Sequence, residues 1–340
     1  MQRILLACVV LAVLGIAMIE DYYMSPSQRT VQGTEASSST SATLSSVVNP
    51  LVNFGSRAPR LPVGPGPYGM AYDPAAHRTF VAVSGANSVA VVDDQGRVVG
   101  EVPIGAAADF VAFDQANSFL YASLVGENSI VLVNMTTFAV AASVSVSTGA
   151  GWMTYDPASQ SVYAVNREAN TVSVISGTAV VKTIALSGLP FAAAFDPADG
   201  DVYVTNNAGA VFVIDGTSAS VVATVQVGEP TSNLLGIAYN PSDRMMYVTS
   251  NSDDEVFILN GTKPAGSIAG FSGPTGIAFS ASAPEMFVVN SGNGTLTATW
   301  SGASSTVKVG SNPREALFNP QMSAVLVTNY GNSTVSLVGA

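Results

Sequence analysis

A β-strand pattern that recurs about every 40 residues constrains the fold of this 340-residue chain more than any other feature. The clearest copy covers residues 201–228, DVYVTNNAGAVFVIDGTSASVVATVQVG, where segments rich in Val are separated by turns of Asn, Gly and Ser. β-Branched residues favour strands, and Gly, Asn and Ser favour tight turns. An aromatic residue at the end of the first strand marks each of seven copies, at intervals of 41, 42, 40, 44, 40 and 39 residues. The markers are Tyr72, Phe113, Tyr155, Phe195, Tyr239, Phe279 and Phe318.

Seven copies of this length predict an all-β fold, a seven-bladed β-propeller of four-stranded antiparallel blades. The alternative is a β-sandwich with accidental periodicity, which seven evenly spaced markers disfavour. The last copy ends after its third strand, at residues 336–338, while a spare fourth-strand segment at residues 57–64 precedes the first copy. We therefore expect this N-terminal strand to pair into the last blade and close the ring, because closure removes an exposed sheet edge.

Small residues alternate along the first strand of four copies, at Gly69 and Ala71, Ala192 and Ala194, Gly236 and Ala238, and Gly276 and Ala278. Alternate residues of a strand lie on opposite faces, so these residues form one small face. The innermost strands of a propeller crowd around its axis. The small face is therefore expected on these strands.

The strand pairs Tyr203-Val204-Thr205-Asn206 and Val213-Ile214-Asp215 carry a family resemblance. With residues 222–228, they resemble the consensus of the YVTN-repeat seven-bladed β-propellers, a family common among archaeal and bacterial surface proteins, including surface-layer-type proteins. The resemblance covers residues 56–340. It implies the propeller fold and a surface location, but it specifies no activity, since this fold serves many functions.

The N-terminal sequence predicts an export signal followed by a stalk. Arg3 precedes an apolar run of 16 residues, Ile4–Ile19, and Glu20-Asp21 follows it. Such a run in residues 1–22 suits a signal peptide or an uncleaved signal anchor, and a buried core helix is the remaining alternative. Residues 23–55 are rich in Ser and Thr and are expected to form a flexible stalk. We therefore expect an extracellular, cell-surface protein, either secreted or anchored to the membrane by this segment.

The net negative charge and the glycosylation sequons agree with an extracellular location. Residues 56–340 contain 20 acidic residues and 10 Lys plus Arg, which argues against nucleic acid, because binding it requires clustered cations. Four Asn-x-Ser/Thr sequons fall at predicted strand ends and turns, which predicts a glycoprotein. The sequon residues are Asn134, Asn260, Asn293 and Asn332.

The sequence contains few of the residue combinations that form known catalytic sites. His77 is the single histidine, it lies in a predicted turn, and a site with two axial histidines is excluded. No Gly-x-Ser-x-Gly elbow, P-loop or dinucleotide-binding glycine motif occurs. We assign no catalytic residue and favour a protein that is not an enzyme.

Propeller topology predicts a ligand site. With the strands of a blade named A to D in chain order, the D–A and B–C loops lie on the face where propellers usually bind ligands. Aromatic and charged residues at these positions would converge around the channel mouth, and the alternative is a rim of ion pairs and solvated groups. The candidates are Tyr68, Asp109, Phe110, Trp152, Arg167, Arg314, Glu315 and Tyr330.

An acidic loop offers the one candidate metal site. Asp253, Asp254 and Glu255 are adjacent in a predicted hairpin turn, and Ca²⁺ prefers oxygen ligands. The spacing does not match an EF-hand loop, and a solvated hairpin tip is the alternative. No other cofactor is expected.

Taken together, these features predict a monomeric, non-enzymatic propeller scaffold. Its loop face would bind a surface protein, a glycan or a surface-layer component. The alternative function is a small-ligand receptor, or a hydrolase- or lyase-type enzyme, with its site at the channel mouth.

Overall fold

The computed structural model describes residues 41–43, 45–46, 58–124, 126–281 and 283–339, all within the unit Ser39–Ala340. These residues form seven sheets, each of which is one propeller blade. Within a blade the four main strands are antiparallel neighbours in the order A, B, C, D. The A strands of consecutive blades lie against one another, and those of blades 7 and 1 are also in contact, so the ring is closed. The predicted seven-bladed all-β fold is confirmed.

Three short strands precede the first blade, and two 3₁₀ helices lie in the B–C loops of blades 1 and 7. The short strands are β1 (Ser41–Thr43), β2 (Ser45–Ser46) and β3 (Arg60–Pro62), and the helices are Ser84–Ala86 and Tyr330–Asn332.

Blades 1 to 4 each contain four consecutive strands. Blade 1 contains β4 (Pro67–Asp73), β5 (Arg78–Val83), β6 (Ser88–Asp93) and β7 (Val98–Pro103). Blade 2 contains β8 (Ala108–Asp114), β9 (Phe119–Leu124), β10 (Ser129–Asn134) and β11 (Ala139–Ser145). Blade 3 contains β12 (Ala150–Asp156), β13 (Ser161–Asn166), β14 (Thr171–Ser176) and β15 (Ala179–Ala185). Blade 4 contains β16 (Pro190–Asp196), β17 (Asp201–Asn206), β18 (Ala210–Asp215) and β19 (Ser220–Gln226).

Blades 5 to 7 complete the ring, and blade 7 takes its D strand from the N-terminal side. Blade 5 contains β20 (Leu234–Asn240), β21 (Met245–Ser250), β22 (Glu255–Asn260) and β23 (Lys263–Ala269). Blade 6 contains β24 (Pro274–Phe279), β25 (Glu285–Asn290), β26 (Thr295–Trp300) and β27 (Ala303–Lys308). Blade 7 contains β28 (Pro313–Asn319), β29 (Ala324–Asn329), β30 (Thr334–Gly339) and β3.

The N-terminal strand closes the ring, as the incomplete last copy predicts. β3 pairs antiparallel with β30, with Leu61 opposite Val335. The segment also reaches blade 6, where the Ala58 N–H donates to the Lys308 carbonyl at 3.1 Å. The strand is shorter than the segment 57–64 expected from sequence. Pro59 and Pro62 bound it closely, and proline has no N–H to offer a sheet ladder.

The inner strands pack as closely as their glycines suggest. A Cβ atom on Gly236 of blade 5 would lie 2.1 Å from the Thr275 carbonyl oxygen of blade 6. A Cβ atom on Gly276 would lie 2.6 Å from the Cα of Glu315 in blade 7. Both distances are below van der Waals contact, so these positions exclude any larger side chain unless the blades separate.

The aromatic markers end strand A, and the residue after each one shapes the following turn. The Asp73 Oδ1 accepts the Ala75 N–H at 2.8 Å and the Ala76 N–H at 3.1 Å. Asp114 makes the equivalent pair of bonds in blade 2. Such side-chain-to-backbone bonds stabilise a turn, so the Asp or Asn of the repeat has a structural role.

Two strands fall inside the segment expected to be a flexible stalk. β1 pairs in parallel with β23 and β2 pairs in parallel with β27, so blades 5 and 6 become five-stranded. The outer edge of a D strand offers unpaired N–H and C=O groups, and an extended Ser/Thr-rich segment satisfies them.

The predicted signal segment, residues 1–22, lies outside the described residues, as does most of residues 23–55. Across the described ranges, no helix has both the length and the apolar character needed to span a bilayer.

Candidate functional site

A bulge at the start of every A strand sets the geometry of the channel mouth. In each blade the pairing between strands A and B shifts register between the first and fourth residues of strand A. A bulge re-aims the side chains next to it. The second and third residues of each A strand are therefore the variable positions of the mouth, which is where six of the eight predicted residues lie.

All eight predicted residues belong to this face. Six lie at the second or third position of strand A in blades 1, 2, 3 and 7, and two lie in B–C loops. The strand residues are Tyr68, Asp109, Phe110, Trp152, Arg314 and Glu315, and the loop residues are Arg167 and Tyr330.

Five aromatic rings form a continuous arc, here called the aromatic arc, from blade 7 through blade 4: Tyr330, Tyr68, Phe110, Trp152 and Phe191. Successive ring centroids are 6.2, 4.8, 4.9 and 6.4 Å apart. These separations are typical of favourable aromatic pairs. Tyr68, Phe110 and Phe191 are buried, whereas Trp152 and Tyr330 are half-buried and present part of their rings to solvent.

Two guanidinium groups flank the aromatic arc. The Arg314 Cζ lies 5.6 Å from the ring centroids of both Tyr68 and Tyr330. The Arg167 Cζ lies 5.5 Å from the Phe191 centroid at the other end. Both distances fall within the range of cation–π contacts. The arc and its two cations therefore form one connected layer across five blades.

Phe191 extends the arc although it was not among the selected candidates. It occupies the second position of strand A in blade 4. An apolar residue does not stand out at a position where most blades carry apolar or small residues. Its equivalence in register to Tyr68 is the signal that identifies it.

Two carboxyl groups of the mouth have shifted pKa values. Burial raises the pKa of Glu315 to about 8, and the Met70 N–H, which donates to Glu315 Oε2 at 2.8 Å, opposes that shift. Burial raises the pKa of Asp109 to about 6, and the charge of Arg314 opposes it. Both shifts favour the neutral form of these carboxyl groups, because burial disfavours the charged form.

The acidic loop is not organised as a metal site in the described part of the chain. Ser250 Oγ donates to Asp253 Oδ2 at 2.6 Å, and the Gly273 N–H donates to Asp254 Oδ1 at 2.6 Å. Among the residues that the structure describes, no group of three or more His, Cys, Asp or Glu side chains is placed to hold a metal ion. Binding of Ca²⁺ by Asp253, Asp254 and Glu255 stays a prediction that only a binding measurement tests.

His77 lies away from the mouth, in the A–B turn on the opposite face. Its Nδ1 is 3.0 Å from Asp94 Oδ2, and half of its side chain is exposed, 52%. His77 therefore does not line the channel mouth.

The four sequons occupy the kinds of position expected from the repeat. Asn134 and Asn260 are the last residues of β10 and β22, Asn293 lies in the turn after β25, and Asn332 ends a 3₁₀ helix. Asn134 is half-buried and the other three are exposed. Their glycosylation stays a prediction.

Comparison with known proteins supports the β-propeller fold but identifies neither a family nor an activity. No protein-family model matches the sequence, and no curated protein matches it. Among solved structures, hydrazine synthase from Kuenenia stuttgartiensis superposes with a TM-score of 0.73 at 18% identity, covering 81% of this chain and 96% of that chain. Virginiamycin B lyase from Staphylococcus aureus gives a TM-score of 0.74 at 12% identity, covering 84% and 99%. The β-propeller domain of Cps50 (Swd1) from Myceliophteria thermophila gives 0.69 at 10% identity, covering 83% and 99%.

Likeness at such low identity establishes the β-propeller fold and carries no activity to this chain. The YVTN-repeat family and the surface-layer type therefore remain predictions from the sequence.

Proposed function

We propose that this β-propeller is a non-enzymatic binding protein that holds a surface protein or glycan on its D–A and B–C loop face. The aromatic arc is the observation that carries the proposal. Trp, Tyr and Arg are the residues most enriched at the energetic centres of interfaces. The arc concentrates these types at one mouth, in a chain where only 8% of residues are aromatic.

The arc is suited to binding because its exposed members are held in place. Trp152 and Tyr330 are half-buried, and each contacts a buried ring, Phe110 or Tyr68, in a tilted or edge-to-face arrangement. A side chain that is already fixed loses little entropy when a partner binds. The two rings therefore offer rigid apolar surface, with Arg167 and Arg314 beside them for acidic or hydroxyl groups.

An extracellular location is part of the proposal and rests on the sequence. The apolar run in residues 1–22, the Ser/Thr-rich segment and the four sequons support export. An acidic chain with few clustered cations gives no support to a nucleic-acid partner.

The first test identifies the partner and then measures how much the aromatic arc contributes to the affinity for it. Cross-linking on intact cells that display the full chain identifies its neighbour, and the affinity of that neighbour is then measured for three variants. We expect Trp152→Ala and Tyr330→Ala each to raise Kd about thirtyfold, which corresponds to a loss of about 2 kcal/mol. Phe138→Ala is the matched control, because Phe138 is exposed in the C–D turn on the opposite face. Equal affinities for all three variants would exclude the arc as the binding surface.

A second candidate function, a small-ligand site or enzyme in the channel, is favoured by one observation. Glu315 and Asp109 have pKa values raised to about 8 and about 6, and perturbed carboxyls are common at catalytic sites. A thermal-shift screen of the full chain against divalent ions, sugars and metabolites tests it. A ligand whose stabilisation is abolished by Arg314→Gln or Glu315→Gln, but not by Trp152→Ala, would favour this function over the scaffold.

A further inference from the structure

A groove separate from the aromatic arc lies between blades 6 and 7, where the N-terminal segment closes the ring. Its volume is about 740 Å³. β3 and the end of β27 contribute to its wall, and so do the B–C loops of both blades and the D–A loop between them. The residues on which the argument depends are Arg60, Asn293, Lys308, Ser311, Asn312 and Asn332.

The groove is cationic in an otherwise acidic propeller. Residues 56–340 contain 20 acidic residues and 10 Lys plus Arg, yet the groove wall contains Arg60 and Lys308 and no Asp or Glu. Chance placement on such a surface favours the opposite sign. A local excess of positive charge attracts an anionic ligand.

The hydrogen-bonding groups of the wall favour acceptors on the ligand. Asn293 Oδ1 accepts from Thr295 Oγ1 at 2.6 Å, and Asn332 Oδ1 accepts from the Ser311 N–H. Each amide oxygen thus already has a partner, while an Asn side chain also carries two N–H donors. Lys308 Nζ gives one of its three donors to the Asn293 carbonyl at 3.1 Å. The groove therefore presents donors and positive charge.

The volume of the groove and the polarity of its wall restrict the class of ligand further. A volume of 740 Å³ lies within the range of small-molecule sites and exceeds what a single inorganic ion fills. Val309 is the one large apolar residue of the wall; the others are Gly, Ser, Asn, Arg and Lys. Such a wall suits a hydroxyl-rich ligand and gives little surface for an aromatic or lipid ligand.

We propose that this groove binds an acidic saccharide, whose carboxylate or sulfate group is recognised by Arg60 and Lys308. The amide donors of Asn293, Asn312 and Asn332 bind its hydroxyl and ring oxygens. The site is independent of the function proposed for the aromatic arc, because none of these residues belongs to the arc.

The site has a consequence for two of the sequons. Asn293 and Asn332 are both sequon residues and both line the groove. A glycan is attached through the same amide nitrogen that the bound saccharide would use. Glycosylation of either residue and binding of a free saccharide in the groove therefore exclude each other.

The test is isothermal titration calorimetry on the full, unglycosylated chain in a non-ionic detergent. The probes are digalacturonate, a sulfated disaccharide, a neutral disaccharide of the same size and inorganic sulfate, all at constant ionic strength. We expect one of the two acidic disaccharides to bind at one site per chain, more weakly as salt is raised, and the neutral disaccharide and free sulfate to bind at least tenfold more weakly.

Two variants and one control assign the site. Lys308→Gln removes an exposed charge and is expected to raise Kd about tenfold, the effect of losing one charge-assisted hydrogen bond. Arg60→Gln is expected to do the same, and because Arg60 lies in the closing strand its folding is checked by circular dichroism. Lys263→Gln, an exposed lysine of blade 5, leaves Kd unchanged.

Three results would overturn the proposal. The first is that neither acidic disaccharide binds the wild-type chain. The second is that the neutral disaccharide or free sulfate binds as tightly as the acidic disaccharides. The third is that Lys308→Gln binds the acidic probe as tightly as the wild type does.

Discussion

The loop face carries two unlike regions built on the same blade. The aromatic arc spans five blades and consists of rings in tilted and edge-to-face contact, flanked by two guanidinium groups. The groove between blades 6 and 7 consists of glycines, amides and two cations. The arc is built from strand A and B–C loop residues of five blades, whereas the groove is built from loop residues of two blades and from the closing strand β3. One fold thus supports two recognition chemistries.

The third residue of strand A illustrates the difference. It is Phe110 in blade 2 and Trp152 in blade 3, but Gly236 in blade 5 and Gly276 in blade 6. In blades 2 and 3 the bulged strand carries a large ring at this position. In blades 5 and 6, and at Gly69 in blade 1, the position is closed by the backbone of the next blade, which leaves no room for a side chain. The same strand position therefore holds a large ring in some blades and a tight interblade contact in others.

The largest effect is expected from removing the closing strand, which the groove depends on and the arc does not. Deleting residues 56–63 from the full chain removes β3, exposes the edge of β30 and takes Arg60 from the groove. We expect Tm to fall by roughly 5–10 °C and binding in the groove to be lost. The measurement is differential scanning calorimetry, with an eight-residue deletion in the predicted stalk, residues 25–32, as the control. Identical melting of the two deletion variants would refute closure by β3.

A smaller loss of stability tests the close-packed side of the inner ring. Gly236→Ala introduces a Cβ that would lie 2.1 Å from the Thr275 carbonyl oxygen, so blades 5 and 6 must separate. We expect the free energy of unfolding to fall by about 1–3 kcal/mol, measured by denaturant unfolding. Gly100→Ala is the matched control, because Gly100 lies in an outer strand and an added Cβ there makes ordinary contacts at 3.8 Å. Equal stabilities would mean that the inner ring is less tightly packed than these distances indicate.

Most of the fold could be predicted from the sequence, because period and turn chemistry determine it. The aromatic markers and the turn residues follow local patterns that the blades repeat, and the last copy is recognised as incomplete by comparison with them. Counting the strands of the last copy predicted that residues before the first blade close the ring. The pairing of β1 and β2 with blades 5 and 6 was not predictable in this way, because Ser/Thr-rich segments form linkers and edge strands equally well.

The two candidate sites differ in how much the sequence reveals. Arg314, Glu315 and Asp109 stand out at the mouth because the equivalent positions of other blades are mostly apolar or small, whereas an apolar member of the aromatic arc such as Phe191 does not. The groove was missed, because Arg60 and Lys308 are far apart in sequence and meet only through ring closure, and the amides between them resemble turn residues. The raised pKa of Glu315 was also hidden, since it depends on how the channel wall encloses the side chain.

A change of pH is expected to alter stability through the channel mouth, and this dependence distinguishes the mouth from the rest of the surface. Glu315 ionises near its ordinary pKa of 4.5 in the unfolded chain and near 8 in the folded protein. Between these values the folded state holds the additional proton, so this group lowers the free energy of unfolding as pH rises. Asp109, with its pKa raised to about 6, acts in the same direction over a lower range, opposed by Arg314.

Glu315→Gln removes this dependence, because glutamine still offers an oxygen to the Met70 N–H and never ionises. We expect the variant to melt at a higher temperature than the wild type at pH 8.5 and at nearly the same temperature at pH 5. The measurement is a series of thermal melts at constant ionic strength. Glu127 is exposed, and Glu127→Gln is the control, which we expect to leave the melting temperature unchanged at both pH 5 and pH 8.5. A variant that is less stable than the wild type at pH 8.5 would mean that the ionised carboxylate is stabilised by the channel. Burial would then not be the dominant influence on the pKa of Glu315.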